Sequence, residues 1–282
     1  MLCYFVFIQV LTLTQHQHRH SKMEMARRLE VIGIEGLPEI REGDDLVTLF
    51  MDALDEMGME IEDGDAIVFT SKIISKSEGR VVSLSELQVS EEAMRIARAT
   101  GKDPRIVQLI LDEARELVRV ARNMIIVETR HGFICANAGI DESNVEEDKA
   151  VLLPEDPQAS ATQLRRAIEE RSGKKVAVLV SDSFGRAFRD GVTGICIGVS
   201  GLPALLDRRG ELDRFGKVAR ITKEAVADEI CAAANLVMGE FIEGIPIVIA
   251  RGVHELGLVS KRGESESGIK EVLFSKEEDL FR

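Results

Sequence analysis

Val176–Val180 is an unbroken apolar run, closed on one side by Lys175 and on the other by Ser181. A strand with no polar face must be covered on both faces, as happens inside a sheet flanked by helices. Ile245–Ala250 reads the same way, and Ala66–Thr70 and Glu30–Ile34 read as further strands. Met124–Glu128 and Phe133–Ala136, joined at Arg130-His131-Gly132, read as a hairpin, and Gly191–Gly201 is glycine-rich and β-like. Strands alternating with helices predict an α/β fold, and the hairpins make its sheet mixed.

The helices carry their own start and stop signals. Asp44 or Asp45 can cap a helix whose Leu46, Leu49, Phe50, Leu54 and Met57 share one face, with Gly58 as its stop. Asp103 precedes Pro104, the favoured first helical residue, and the apolar spacing from Ile106 predicts a helix to Val118. Ser160 and Gln163 form a capping box, predicting a helix to about Arg171 that stops at Gly173. Lys223–Met238 is predicted as a helix with Val226, Ile230, Ala233 and Val237 on its apolar face. Ser71–Arg80 reads as a polar segment following a strand.

With 282 residues the chain can bury a full core. Its net charge of −13 repels nucleic acid and acidic membranes, so neither is an expected partner. With no Trp and one Tyr, a base-stacking platform for single strands is not expected either. Cys3, Cys135, Cys196 and Cys231 form no CxxC pair, which argues against a zinc site and a disulfide framework. They read as reduced cysteines of a cytoplasmic protein.

Residues 1–24 hold an apolar run and then His16, His18 and His20, a cluster able to bind metal incidentally. No basic segment precedes the run, as a signal peptide requires, and the run is too short to span a bilayer. Residues 1–24 are expected to be a disordered extension or a mis-called start, with one domain over residues 25–282.

Two nucleotide signatures are missing, GxxxxGK[ST] and GxGxxG, and so is the GxSxG nucleophile elbow. Chemistry-bearing residues gather instead behind apolar runs. Ser181-Asp182-Ser183-Phe184-Gly185-Arg186 follows Val176–Val180, and Asn137-Ala138-Gly139-Ile140-Asp141-Glu142-Ser143-Asn144 follows Phe133–Ala136. Ligands of open α/β sheets bind outside the carboxyl ends of strands. Two carboxylates, Asp141 and Asp182, on separate loops suggest a divalent cation holding phosphates, since Mg²⁺ takes one or two carboxylates plus phosphate oxygens. Lys72 and Lys76, four apart, can neutralise a polyphosphate or lie solvated. Arg186 and Arg189 can fork onto phosphate or pair on the surface. By spacing alone, Glu229 reads as part of a solvated helix face.

These motifs, together with Glu35-Gly36-Leu37-Pro38, Ile74-Ser75-Lys76-Ser77-Glu78-Gly79-Arg80, Ala227-Asp228-Glu229-Ile230 and Asn235-Leu236-Val237-Met238-Gly239-Glu240, come in a characteristic order. From about Leu29 to about Gly252 the chain resembles the coenzyme F420-0:L-glutamate ligase family, the γ-glutamyl ligases of deazaflavin coenzyme biosynthesis. The resemblance implies a GTP-dependent ligase that activates the terminal carboxylate of coenzyme F420-0 as an acyl phosphate. L-glutamate then attacks, releasing GDP and phosphate, and a second glutamate follows through a γ-linkage. It implies two divalent ions, Mg²⁺ or Mn²⁺, with K⁺, and an intertwined homodimer with an unusual fold. Carried over by motif, Asp141, Asp182, Ser183 and Glu229 form the metal shell, with Ser183 where the family often has Thr. Glu35, Gly36, Leu37, Pro38, Ser71, Lys72, Lys76 and Asn144 contact the nucleotide, as does the segment following Glu229. Asp182 and Arg186 are the catalytic candidates. A metal-dependent nucleotide phosphohydrolase on the same acids is the alternative, and a non-catalytic nucleotide-binding protein a third class.

Overall fold

The computed structural model describes residues 27–257 and 268–279, so the expectations for residues 1–24 and for Cys3 lie outside the described residues. Five strands form the main sheet, in the order β1 (Glu30–Ile34), β12 (Ile247–Arg251), β2 (Ala66–Thr70), β8 (Ala177–Arg186) and β9 (Arg189–Ser200). Only β2 and β8 pair in parallel; the other neighbours are antiparallel, so the sheet is mixed as expected. The unbroken apolar run on β8 is buried on both faces, as are the cores of β2 and β12.

The helices that cover the sheet begin where local chemistry directs. In α1 (Leu46–Met57), Asp45 accepts the backbone N–H groups of Val47 and Thr48 at 3.0 and 3.2 Å, and Gly58 closes the helix at φ 64°. Its Phe50 meets Phe69 of β2 edge-on at 5.9 Å, both fully buried. Each such ring contributes on the order of 2–3 kcal/mol by leaving water. α5 (Pro157–Ser172) and α6 (Val226–Met238) pack on β9 through glycine. A Cβ at Gly194 would lie 2.4 Å from the Cys231 carbonyl oxygen. Glycine inside a strand here permits backbone to meet backbone.

A second core lies beside the first. It joins α3 (Glu91–Thr100) and α4 (Pro104–Glu113) to the sheet of β4 (Ala114–Ala121), β5 (Met124–Thr129) and β6 (Ile134–Ala136). β3 (Val81–Ser83) pairs with β7 (Lys149–Val151), and β10 (Leu206–Asp207) with β11 (Lys223–Glu224). No helix of the described residues is long and apolar enough to cross a membrane.

Four expectations change. Ser71–Ser77 is a helix, α2, rather than an irregular segment, because Ile73 and Ile74 are buried beneath it. The helix from Pro104 ends at Glu113, and Leu117 and Val118 belong to β4, where pairing with β5 supplies the backbone partners a helix would have supplied. α5 starts three residues before the expected box: Asp156 caps it, and Ser160 instead donates to Glu78 Oε1 at 2.7 Å. α6 starts at Val226, since Lys223 and Glu224 pair with β10.

Candidate active site

The parallel pair β2–β8 ends at Thr70 and Ser181, and the next residue of each chain segment enters a cleft of about 400 Å³. Ser71 opens α2, and its hydroxyl donates to Asp182 Oδ1 at 2.7 Å. Beyond Ser181, β8 does not stop as the polar cluster suggested. It continues with β9 as a long hairpin, with Asp182 opposite Ile195. Asp182 thus projects from a rigid strand at the point where the sheet loses its neighbour β2.

The opposing wall begins with a left-handed turn. Asn137, Ala138 and Gly139 have φ of 53°, 57° and 70° in succession. L-residues pay about 1–2 kcal/mol each in this region, and Asn and Gly pay least. The turn is held by Ile140 N–H donating to the Asn137 carbonyl and by Ile125 N–H donating to Asn137 Oδ1. It delivers Asp141 into a two-way backbone bridge with Val151.

Two lysines on one face of α2 join the walls. Lys72 Nζ lies 2.7 Å from Asp141 Oδ2 and also donates to the Ser143 hydroxyl and carbonyl at 2.9 and 3.1 Å. Lys76 Nζ pairs with Glu39 and donates to the Asn144 carbonyl at 3.0 Å. Asn144, itself left-handed at φ 53°, donates through Nδ2 to the Phe241 carbonyl at 3.0 Å and so ties down the loop after α6.

The two aspartates sit in opposite electrostatic states. Burial works to raise the Asp141 carboxyl, but the Lys72 ammonium and the Ser143 N–H and hydroxyl outweigh it and hold it below the ordinary carboxylate range. Burial pushes Asp182 up to about 6; the Asp141 carboxylate adds to this, while the Ser71 hydroxyl and the Ser183 N–H oppose it. Asp182 is therefore a carboxylate short of positive charge. Cys135 is no nucleophile in this setting: burial and the nearby Asp182 push its thiol up to about 12.

Residues 35–252 match the family described as F420-0:Gamma-glutamyl ligase. The chain belongs to this family. It is 47% identical over 254 residues to the Coenzyme F420:L-glutamate ligase of Methanothermobacter thermautotrophicus, covering 90% of this chain and 99% of that protein. The protein of the same name from Methanocaldococcus jannaschii is 47% identical over 258 residues, covering 91% and 98% of the two chains. The Archaeoglobus fulgidus protein of that name is 44% identical over 255 residues, covering 90% and 97%.

Of the residues carried over from the family resemblance, the cleft brings together Leu37, Pro38, Ser71, Lys72, Lys76, Asn144, Asp141, Asp182 and Ser183. Glu35 and Gly36 are exposed just outside its lining. Arg186 is not brought in. It stands four residues beyond Asp182 on the hairpin, roughly 13 Å away along an extended strand, and its nearest acceptor is the Asp190 carbonyl at 3.4 Å. Glu229 is exposed and does not line the cleft, because α6 buries Val226, Ile230, Cys231 and Ala234 and meets the cleft only at Asn235 and Met238. The acid that does arrive is Glu240, which accepts from the Ser183 hydroxyl at 2.8 Å and from Asn235 Nδ2 at 2.9 Å. Its place in the Asn235–Glu240 motif, just after a helix-ending Gly239, was the available signal. Glu39 and Glu243 also line the cleft and were missed; Glu39 became visible only through its contact with Lys76.

Proposed function

We propose that the chain is a GTP-dependent ligase joining L-glutamate to coenzyme F420-0, with a second glutamate added through a γ-linkage. The observation that carries the reading is the convergence of Asp141 and Asp182 with Lys72 and Lys76 across one cleft, in a chain of this family. A carboxylate is a poor electrophile and must be activated before an amine can attack it. In the first step an oxygen of the F420-0 carboxylate attacks the γ-phosphorus of GTP, and the bond to GDP breaks. In the second the glutamate nitrogen attacks the acyl carbon, loses a proton, and phosphate leaves. Such transfers need positioning and charge neutralisation more than covalent help.

The donor set suits Mg²⁺ or Mn²⁺. All its members are oxygens: the carboxylates of Asp141 and Asp182 and the hydroxyl of Ser183, with Glu240 as the third acid in place of Glu229. Among the described residues no three His, Cys, Asp or Glu side chains are close enough to hold a metal alone. That fits a cation completed by substrate phosphates. When bound, two such ions neutralise charge on the transferring phosphoryl group. The protein's own part is to place Lys72 and Lys76 toward the phosphates, to orient Asp182 through Ser71, and to hold the loop after α6 through Asn144. Leu37, Pro38 and the 238–246 loop form the wall for the nucleotide, with Glu35 and Gly36 at its edge, while Arg186 stands on the hairpin outside the cleft. K⁺ belongs to the same proposal. So does an intertwined homodimer: the β10–β11 excursion exposes Leu212, Phe215 and Ile221, the latter two by 89% and 87%, more apolar surface than a lone arm keeps in water.

Mass spectrometry of the product formed from F420-0, GTP and L-glutamate tests the reading. The expected product carries one and then two added glutamates, and GDP accumulates over many turnovers only when both other substrates are present. Sustained GDP release with neither F420-0 nor glutamate present would establish the phosphohydrolase instead, and no turnover a binding protein.

Lys76 supplies a further expected result. Its side chain is only 12% exposed and is held between Glu39 and the Asn144 carbonyl, unlike a solvated surface lysine. Lys76→Ala is expected to raise the GTP concentration for half-maximal ligation by about tenfold, the usual order for one charge-assisted phosphate contact. Overlapping GTP titrations for wild type and variant would remove Lys76 from the phosphate site.

A further inference from the structure

Beyond Ser181 the strand that carries Asp182 has lost β2, and β9 is its one remaining neighbour in the sheet. Where Asp182 stands therefore depends on how β9 runs.

β9 does not run regularly there. In a regular strand residues 194, 196 and 198 point to one face. Yet a Cβ at Gly194 would lie 2.4 Å from the Cys231 carbonyl oxygen of α6, and a Cβ at Gly198 would lie 2.2 Å from the Pro157 carbonyl oxygen of α5. The strand turns its face between the two glycines. The register shows where: Val180 pairs with Gly198 and Ser181 with Cys196, which leaves Ile197 as an extra residue without a partner in the ladder. This is a β-bulge, which bends a strand and re-aims the side chains beyond it. It lies directly ahead of the pair Asp182–Ile195.

Backbone groups that a bulge takes out of the ladder need other partners. The Cys196 thiol donates to the Gly198 carbonyl at 3.2 Å, across the bulge. The Cys196 N–H donates to Oδ1 of Asp228, in the first turn of α6, at 2.9 Å. Cys196 and Ile197 are buried, so water does not serve in its place. On the other side of the bulge, Gln158 of α5 holds the Val199 carbonyl and N–H. One helix thus grips β9 on each side of the extra residue. Burial pushes the Asp228 carboxyl above the ordinary carboxylate range; the Cys196 N–H opposes this, and Glu229 adds to it. The bond to Cys196 offsets part of the cost of placing an acid there.

We propose that Asp228 is a positioning residue for the phosphoryl-transfer site: by accepting the Cys196 N–H it fixes the bulge of β9, and through the bulge it fixes Asp182 and Ser183 opposite Asp141 and Lys72. The inference rests on the ligase reading above. Asp228 does not line the cleft and acts only through the strand. Glu229 beside it is exposed, so within the Ala227–Ile230 motif the acid with a task at the site is Asp228.

The test compares Asp228→Ala, which removes the acceptor, with Asp228→Asn, which keeps an acceptor oxygen and removes the charge. The Ala variant is expected to lower kcat about tenfold or more, since displacement of a reacting group by an ångström costs up to about a hundredfold. Its GTP KM is expected to stay within about twofold of wild type, because Lys72, Lys76, Leu37 and Pro38 come from other segments. The Asn variant is expected to keep kcat within about twofold. Asp45→Ala, which uncaps α1, controls for lost stability alone: its melting temperature falls and its kcat does not. Hydrogen–deuterium exchange supplies a readout that needs no turnover. Peptides covering residues 181–198 are expected to exchange faster in the Ala variant and as wild type in the Asn variant. If the Ala variant does not fold, Asp228→Glu, which shifts the acceptor by one methylene, is expected to show the same split between kcat and GTP KM. Wild-type exchange in the Ala variant overturns the proposal. So do faster exchange with unchanged kcat, which would make Asp228 structural only, and equal losses in the Ala and Asn variants. If wild type itself fails to join glutamate to F420-0, the ligase reading falls, and the exchange comparison still decides whether Asp228 holds the strand of Asp182.

Discussion

Asp182→Asn is expected to fold and to lose ligation by about a thousandfold or more, close to 4 kcal/mol of transition-state stabilisation. The fold survives because the substitution keeps the acceptor for the Ser71 hydroxyl and introduces no volume. Stability should equal or exceed wild type. The Asp182 carboxyl, raised by burial to about 6 from 3.8, binds its proton more tightly folded than unfolded. Ionisation therefore costs stability as pH rises through that window, and a neutral amide escapes the cost. Activity is lost because the amide has no charge to offer a cation or a phosphoryl-transfer site. Melting curves and glutamate incorporation measured together decide the matter. Near wild-type turnover at saturating Mn²⁺ would sink the assignment of Asp182.

Gly198→Ala is expected to lower stability by about 3 kcal/mol or more, the upper end for overpacking a core. A Cβ at this position would lie 2.2 Å from the Pro157 carbonyl oxygen and 2.6 Å from its carbon, both backbone atoms of the first turn of α5. Relief would require moving α5 or β9. It would also break the pairing of Gln158 with Val199, where Nε2 donates to the carbonyl at 2.6 Å and Oε1 accepts the N–H at 3.3 Å. For a chain of this size the melting temperature should fall by roughly 6–12 °C. Gly185→Ala is the control, since a Cβ there meets nothing within 4 Å. It should stay within about 0.5 kcal/mol of wild type. Equal melting temperatures for the two variants would mean that α5 does not rest on Gly198.

Where short-range chemistry settles a feature, it was legible in the sequence. Asp45 and Gly58 bound α1 because a capping carboxylate and a left-handed glycine act within one turn of the chain. The apolar runs at Ala66–Thr70 and Val176–Val180 became neighbouring central strands because nothing in them can face water. Asp141, Asp182 and Lys72, which line one cleft, were visible as motifs, since each sits within a few residues of a strand end. Other features depended on partners distant in sequence. Leu117 and Val118 have helical spacing but join β4, because β5 offers them a ladder. Ser160 looks like a cap until Glu78 is seen to take its hydroxyl. Glu229 and Glu240 are acids at opposite ends of one helical segment, the first in its opening turn and the second just past its close. The packing of α6 on the sheet turns the first outward, and the Ser183 hydroxyl, far away in the chain, joins Asn235 Nδ2 in holding the second in the cleft. A residue's neighbours along the chain determine its backbone conformation through local hydrogen bonds and sterics. Which side chains share a cavity is decided by the burial of whole faces, and that is a property of the assembled tertiary structure.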